Sequence, residues 1–177
     1  MENKDTLGKA TSQRTVVCPP LGKARDYAFL LLKFRLRSRK ELYERLKRKK
    51  FTEEIIKQTL DFLESKGFID DSNFAKAWIA SRIKRPLGLR RLRQELKIKG
   101  INEAIIDTKI GEIKNNYNEA DVVRKIAEEK FNKLKGVEPR KAKKRIYDYF
   151  MRRGFSPDVV IDIINQWKPI PPRGWDR

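Results

Sequence analysis

Residues 92–110 read LRQELKIKGINEAIIDTKI, two apolar patterns divided by a turn. Leu92 and Leu96 lie four apart, Gly100 interrupts, and Ile101, Ile105, Ile106 and Ile110 follow at the spacing of a second helix. Fifty residues upstream the same places hold Leu42, Leu46, Phe51, Ile55, Ile56 and Leu60. Fifty-four residues downstream they hold Ile146, Phe150, Phe155, Val159, Val160 and Ile164. A helix-turn-helix pair that recurs at this period marks an array of repeats.

The turn between the apolar sets repeats as well. Thr52, Asn102 and Ser156 align, and each can cap a helix through a side-chain oxygen that accepts an orphan backbone N–H. Phe51, Ile101 and Phe155 precede these caps and are placed to pack on Ile56, Ile106 and Val160 as hydrophobic staples. Pro157 suits a first helical position, where a missing N–H loses nothing. Gly100 and Gly154 suit a left-handed helix end. Lys50 stands at the same place in the first copy, so that end is expected to be strained or built differently.

A further helix precedes each pair: Ala24 to Leu36, Asp70 to Ile83 and Asn118 to Leu134. Asp70 or Asp71 caps the second of these, with Ile69 placed to staple onto Phe74. The expected fold is all-α, with three tandem three-helix, helix-turn-helix-like repeats at 26–69, 70–117 and 118–167. Residues 1–25 read as a disordered basic tail, and 168–177 as a Pro-rich tail in which three prolines forbid a helix. One such unit buries little by itself, so stacking of neighbours into an elongated, curved array is expected.

Composition narrows the chemistry. The 177 residues include no His, which removes the commonest general base and metal ligand. Cys18 alone closes no internal disulfide and builds no thiolate zinc site. Asp70-Asp71 reads better as a helix cap than as a metal pair, since the macrodipole favours acid there. Pro157-Asp158 lacks the Glu-X-Lys and the strand pattern of a nuclease motif, and no Gly-rich phosphate loop occurs. Catalysis, metal and cofactor are therefore not expected. The longest apolar run, Tyr27 to Leu32, is far short of the roughly 20 residues of a membrane span. A cytoplasmic protein with no membrane association is expected.

Lys and Arg total 43 against 24 acidic residues, a net charge of +19, which points to a polyanionic partner. The excess is concentrated: +8 over Lys33 to Lys50, +7 over Arg82 to Gly100 and +7 over Lys133 to Arg153. Each block covers the middle helix of a unit and its entry. Arg90, Arg93 and Lys97 share one face of the second middle helix, apart from Leu89, Leu92 and Leu96. Basic residues recur at Lys40, Arg90 and Lys144, and at Lys49, Lys99 and Arg153. The plain alternative is a set of solvated faces, with Lys49, Lys99 and Arg153 complementing helix C-termini. Three blocks holding more than the whole net charge favour docking. Trp78 reads as core packing. Tyr43 and Tyr147 take the place of Arg93 in their own units, suited to base stacking or to a helix interface.

The string Gly67-Phe68-Ile69-Asp70-Asp71-Ser72-Asn73-Phe74-Ala75, then Ser81-Arg82, then Gly88-Leu89-Arg90-Arg91-Leu92-Arg93-Gln94-Glu95-Leu96-Lys97 and Gly100-Ile101, resembles the central motif of the RecX family. Arg152-Arg153-Gly154-Phe155-Ser156 extends the resemblance, which covers about 26–167. Leu87 and Leu89 around Gly88 depart from the family's frequent Gly-X-Gly-Pro, and Lys50 from a common Gly. The resemblance implies an all-α protein of three three-helix repeats that binds the recombinase RecA and lies along the groove of the RecA–DNA filament. It further implies inhibition of RecA's ATPase, strand exchange and coprotease activities.

The expected partners are thus RecA and the RecA–ssDNA filament, with free DNA a further candidate, and the chain is expected to be a monomer. The candidate docking residues are Arg90, Arg91, Arg93 and Lys97, then Lys40, Lys47, Lys49, Lys144 and Arg153. A stand-alone helix-turn-helix nucleic-acid binder is the alternative. Against it, the helix after each turn is comparatively acidic (Glu53, Glu54, Glu103, Asp107, Asp158, Asp162), where a groove-reading helix would be basic.

Overall fold

The computed structural model describes residues 20–114 and 117–167. The two terminal stretches read as tails lie outside these, apart from residues 20–25, and so does Cys18. Among the described residues there are nine helices and no strand. The first unit holds α1 (Pro20–Phe34), α2 (Arg39–Arg48) and α3 (Glu53–Ser65). The second holds α4 (Asp71–Arg82), α5 (Leu89–Ile98) and α6 (Glu103–Lys114), and the third α7 (Glu119–Lys133), α8 (Pro139–Arg152) and α9 (Pro157–Gln166). The first helix begins at Pro20, well inside the stretch read as a tail, because Ala24 and Ala28 pack fully buried against the first core.

Each unit closes its own core. Leu42, Leu46, Ile56 and Leu63 are buried in the first, Leu92, Leu96, Ile106 and Ile110 in the second, Ile146, Phe150, Phe155 and Val160 in the third. Among the described residues, no buried residue is shared between the three, and every substantial helix-helix contact lies within a unit. This corrects the expectation that apolar stacking between neighbours holds the array together. Three helices of 10–15 residues meet as a triangle whose apolar faces all point inward. Trp167 completes the third by stacking on Phe131, with ring centroids 3.7 Å apart. Ile69 completes the first core, whereas Phe74 belongs to the second, so the staple expected between them does not form.

Caps follow the sequence only in part. The Asp70 carboxylate accepts from the N–H groups of Ser72 and Asn73, and the Asn118 amide oxygen from those of Ala120 and Asp121. Asn102 Oδ1 accepts from Ala104 N–H at 2.9 Å. Thr52 and Ser156 have the extended backbone of an N-cap, but their side chains make no cap bond. The staples beside them, Phe51 with Ile56 and Phe155 with Val160, lie in shared cores and fix the chain's entry without it.

Candidate docking surface and the seams that carry it

Polar seams join the units in series, and the second repeats the chemistry of the first. In the first, Ser38 Oγ donates to Lys99 O at 2.7 Å and Arg39 N–H to Asp71 Oδ1 at 2.9 Å. In the second, Gly88 N–H donates to Arg153 O at 3.0 Å and Leu89 N–H to Glu119 Oε1 at 3.2 Å. The start of one middle helix thus sits on the C-terminal end of the next unit's middle helix. A carboxylate from the next unit's first helix takes up an orphan N–H, as an N-cap would. Lys99 Nζ reaches back to Glu41 Oε1 at 2.5 Å, and Arg153 Nη1 to Pro86 O at 3.1 Å. Tyr117 adds an O–H donated to Leu87 O at 3.0 Å. Burial, and after it Glu119, pushes the Tyr117 phenol up to about 12, so it keeps that proton.

The seams explain the glycines. A Cβ at Gly100 would lie 2.6 Å from Lys40 Cβ, and one at Gly154 2.5 Å from Arg91 Cβ. One at Gly88 would overlap Gly154 O. Lys50 has the same left-handed backbone, φ 62°, but among the described residues no unit docks on it. The expected strain is present there without the crowding.

The nine candidate docking residues divide by surroundings. Arg90 and Lys144 are exposed with no ion pair among the described residues. Arg93 bridges Glu103 and Asp107 at 3.5 and 2.5 Å, and Lys97 reaches Glu103 at 2.6 Å. The first unit repeats this arrangement, with Lys47 at 3.2 Å from Glu53 and Tyr43 O–H donating to the same carboxylate. The acidic start of α3 and α6 is therefore explained by pairing within the unit. Arg91 pairs with Glu95 at 3.3 Å. Lys49 Nζ lies 5.3 Å from the Tyr27 ring centroid. Lys40 sits against Gly100, and Arg153 is a seam residue whose guanidinium also lies 4.6 Å from the Tyr149 ring centroid. Trp78 packs on Phe74 as expected and also donates from Nε1 to Glu95 at 3.1 Å.

Sequence reasoning missed a cavity of about 380 Å³ between α2 and the end of α5, at the first seam. Arg35, Arg37, Lys40, Arg45, Arg48 and Lys99 line it, with Glu41, Glu44 and Ile98. Glu41 Oε2 takes Arg35 at 2.8 Å and Oε1 takes Lys99. Burial alone would raise the Glu41 carboxyl, but bonds from Arg35 and Lys99 hold it below its usual value. Arg37 is lowered by burial and by Arg35 beside it. The signal available in the sequence was the densest charge block, Lys33 to Lys50; its convergence on Lys99 was not.

Among the described residues no helix is long and apolar enough to cross a membrane, and no cluster of His, Cys, Asp and Glu suits a metal. Three family models, for the first, second and third three-helix domains of RecX, match residues 24–63, 70–109 and 118–164. A protein of Chlorobium phaeobacteroides named regulatory protein RecX is 41% identical over 145 residues, covering 81% of this chain and 93% of its own. One of the same name from Clostridium acetobutylicum is 31% identical over 147 residues, covering 81% and 67%. The crystal structure of RecX from Lactobacillus salivarius matches with a TM-score of 0.73 over 83% of this chain and 96% of that one, at 22% identity. A second crystal structure of a regulatory protein RecX gives 0.72 over 83% and 72%, at 23%. At these identities the structural likeness speaks for the fold.

Proposed function

This chain belongs to the RecX family of regulatory proteins, and from that premise we propose that it regulates the recombinase RecA. In this reading it docks on RecA and on the RecA–ssDNA filament. It lowers ATPase, strand exchange and coprotease activity, and so modulates recombination and DNA repair. The observation that carries the reading is the repeated seam, which sets three basic middle helices in one series along the chain. A repeating filament offers a repeating track, and contacts weak one by one act together through effective concentration.

Arg90 and Lys144 are the cations most ready to engage. Arg91, Arg93, Lys97 and Lys47 would exchange surface pairs that solvent screens, so their present partners do not bar them. Lys40 and Lys49 add charge at the first unit. Arg153 would act through the seam it holds.

The test is RecA ATPase on single-stranded DNA with and without the protein. Wild type should inhibit. The charge-reversed Arg90→Glu/Arg93→Glu/Lys97→Glu variant should inhibit at least several-fold less, with unchanged helicity. Full inhibition by that variant at physiological salt removes the α5 face from the interface. Equal affinity for naked and RecA-coated DNA would favour the stand-alone nucleic-acid binder instead.

A further inference from the structure

The cavity at the first seam holds more positive charge than the fold uses. Six cations face two carboxylates, and Glu41 spends both oxygens on Arg35 and Lys99. Arg37, Lys40, Arg45 and Arg48 have no carboxylate within ion-pair distance among the described residues. Arg37 turns its Nε to Leu31 O, and Arg48 turns its Nε to Glu44 O, backbone acceptors both. Like charges crowded on one wall repel, and an external anion relieves that repulsion. The contrast with the α5 face is direct: there Arg93 and Lys97 already have Glu103 and Asp107.

The wall suits a chain of phosphates better than one. Lys40 to Arg48 runs along α2 for about 12 Å at 1.5 Å per residue. That length covers several successive phosphates of a strand. Guanidinium forks bind phosphate oxygens in pairs. Ile98, 62% exposed, stands in the same wall and offers an apolar surface to a sugar or base edge.

We propose that this cavity is a binding site for a nucleic-acid phosphodiester backbone, and that a phosphate seated there competes with Glu41 for Arg35 and Lys99. The polyanion's identity rests on the functional reading above; the site itself rests on the geometry. Arg35 belongs to the first unit and Lys99 to the second, so Glu41 is a clasp across the seam. Occupancy of the cavity then loosens the clasp, and a loosened clasp favours occupancy, since coupling between two equilibria is reciprocal.

The full chain tests this without RecA. The probe is a short labelled oligothymidylate, its binding followed by anisotropy over a series of salt concentrations. Arg45→Gln/Arg48→Gln should weaken binding about tenfold and flatten the salt slope by about 1.4, or about 0.7 for each single-strand phosphate no longer neutralised. The control Lys57→Gln/Lys66→Gln removes equal charge from α3 and its end and should change binding less than threefold. Glu41→Gln should tighten binding at least threefold more than Glu54→Gln, which makes the same charge change away from the clasp. Labels at Gln58→Cys and Thr108→Cys, in a Cys18→Ser background, should report a changed distance between the first two units when the oligonucleotide saturates, and none in matched salt.

Equal binding by the cavity and control variants overturns the site. An unchanged distance, or equal effects of the two Glu→Gln changes, overturns the coupling. Displacement of the oligonucleotide by stoichiometric pyrophosphate overturns the backbone in favour of a free phosphate. Loss of RecA inhibition with oligonucleotide binding intact overturns it in favour of a protein partner. If wild type binds as described but leaves RecA's ATPase untouched, the functional reading fails and the site stands.

Discussion

Three residues at one position of the repeat, Lys50, Gly100 and Gly154, share a left-handed backbone but face different neighbours. An L-residue there costs about 1–2 kcal/mol. Lys50→Gly should therefore stabilise the first unit by about 1 kcal/mol in urea denaturation, since among the described residues no unit docks on it. Gly154→Ala incurs the same backbone cost and also drives a Cβ into the Arg91 backbone. It should part the second and third units while each remains helical, seen as lost protection of the Gly88 amide in hydrogen exchange. Glu41 carries a pH dependence of known sign. Its folded value is below the usual 4.5, so its contribution is complete above that pH and is lost as pH falls through the lower folded value. The first seam should loosen in acid, and Glu41→Gln should remove that dependence. Asp71 runs the other way. Burial raises it above its usual 3.8 despite the Arg39 N–H, so its charge opposes folding as pH rises past that point.

Among the elements, the N-termini differ in who supplies the cap. Asp70 caps α4 from its own chain segment, with two bonds from one oxygen, at 2.8 and 2.9 Å. Asp70→Ala should cost about 1 kcal/mol, whereas Thr52→Ala, which removes no cap bond, should cost a few tenths. Paired urea titrations compare the two. The middle helices α2 and α5 offer their first N–H to a carboxylate of the following unit, and α2 is capped as well by its own Ser38 Oγ, which accepts from Glu41 N–H. α8 begins with Pro139, which has no N–H to offer, and it is 14 residues long against 10 for α2 and α5. No unit follows it among the described residues.

At the scale of the whole molecule, three separate cores joined by a few polar bonds cannot unfold as one cooperative block. Phe150 is fully buried in the third core, and Phe150→Ala should cost about 3–5 kcal/mol there. Hydrogen exchange should show that loss across α7, α8 and α9 while α1 to α6 keep their protection. A collapse of protection in all three units would mean that the seams transmit far more stability than polar contacts of this size supply. The same separation bears on docking: units that each close their own core and are joined by a few polar bonds can settle on a repeating track without unfolding.

Sequence periodicity determined that there are three units and which residues fill each core. Leu42, Leu92 and Ile146 are buried because a helix face at 3.6-residue spacing has one place for apolar side chains, whatever surrounds it. The left-handed turns at Gly100 and Gly154 were legible for the same reason, being local. Local pattern could not tell which cations are spent and which are idle. Arg93 and Lys97 looked like a free ridge until α6 brought Glu103 and Asp107 beside them. Arg37, Arg45 and Arg48 were undistinguished members of the Lys33 to Lys50 charge block until Lys99, from the next unit, closed a wall around them. Charge acts through space, so its meaning waited on packing between segments dozens of residues apart, which no periodicity encodes.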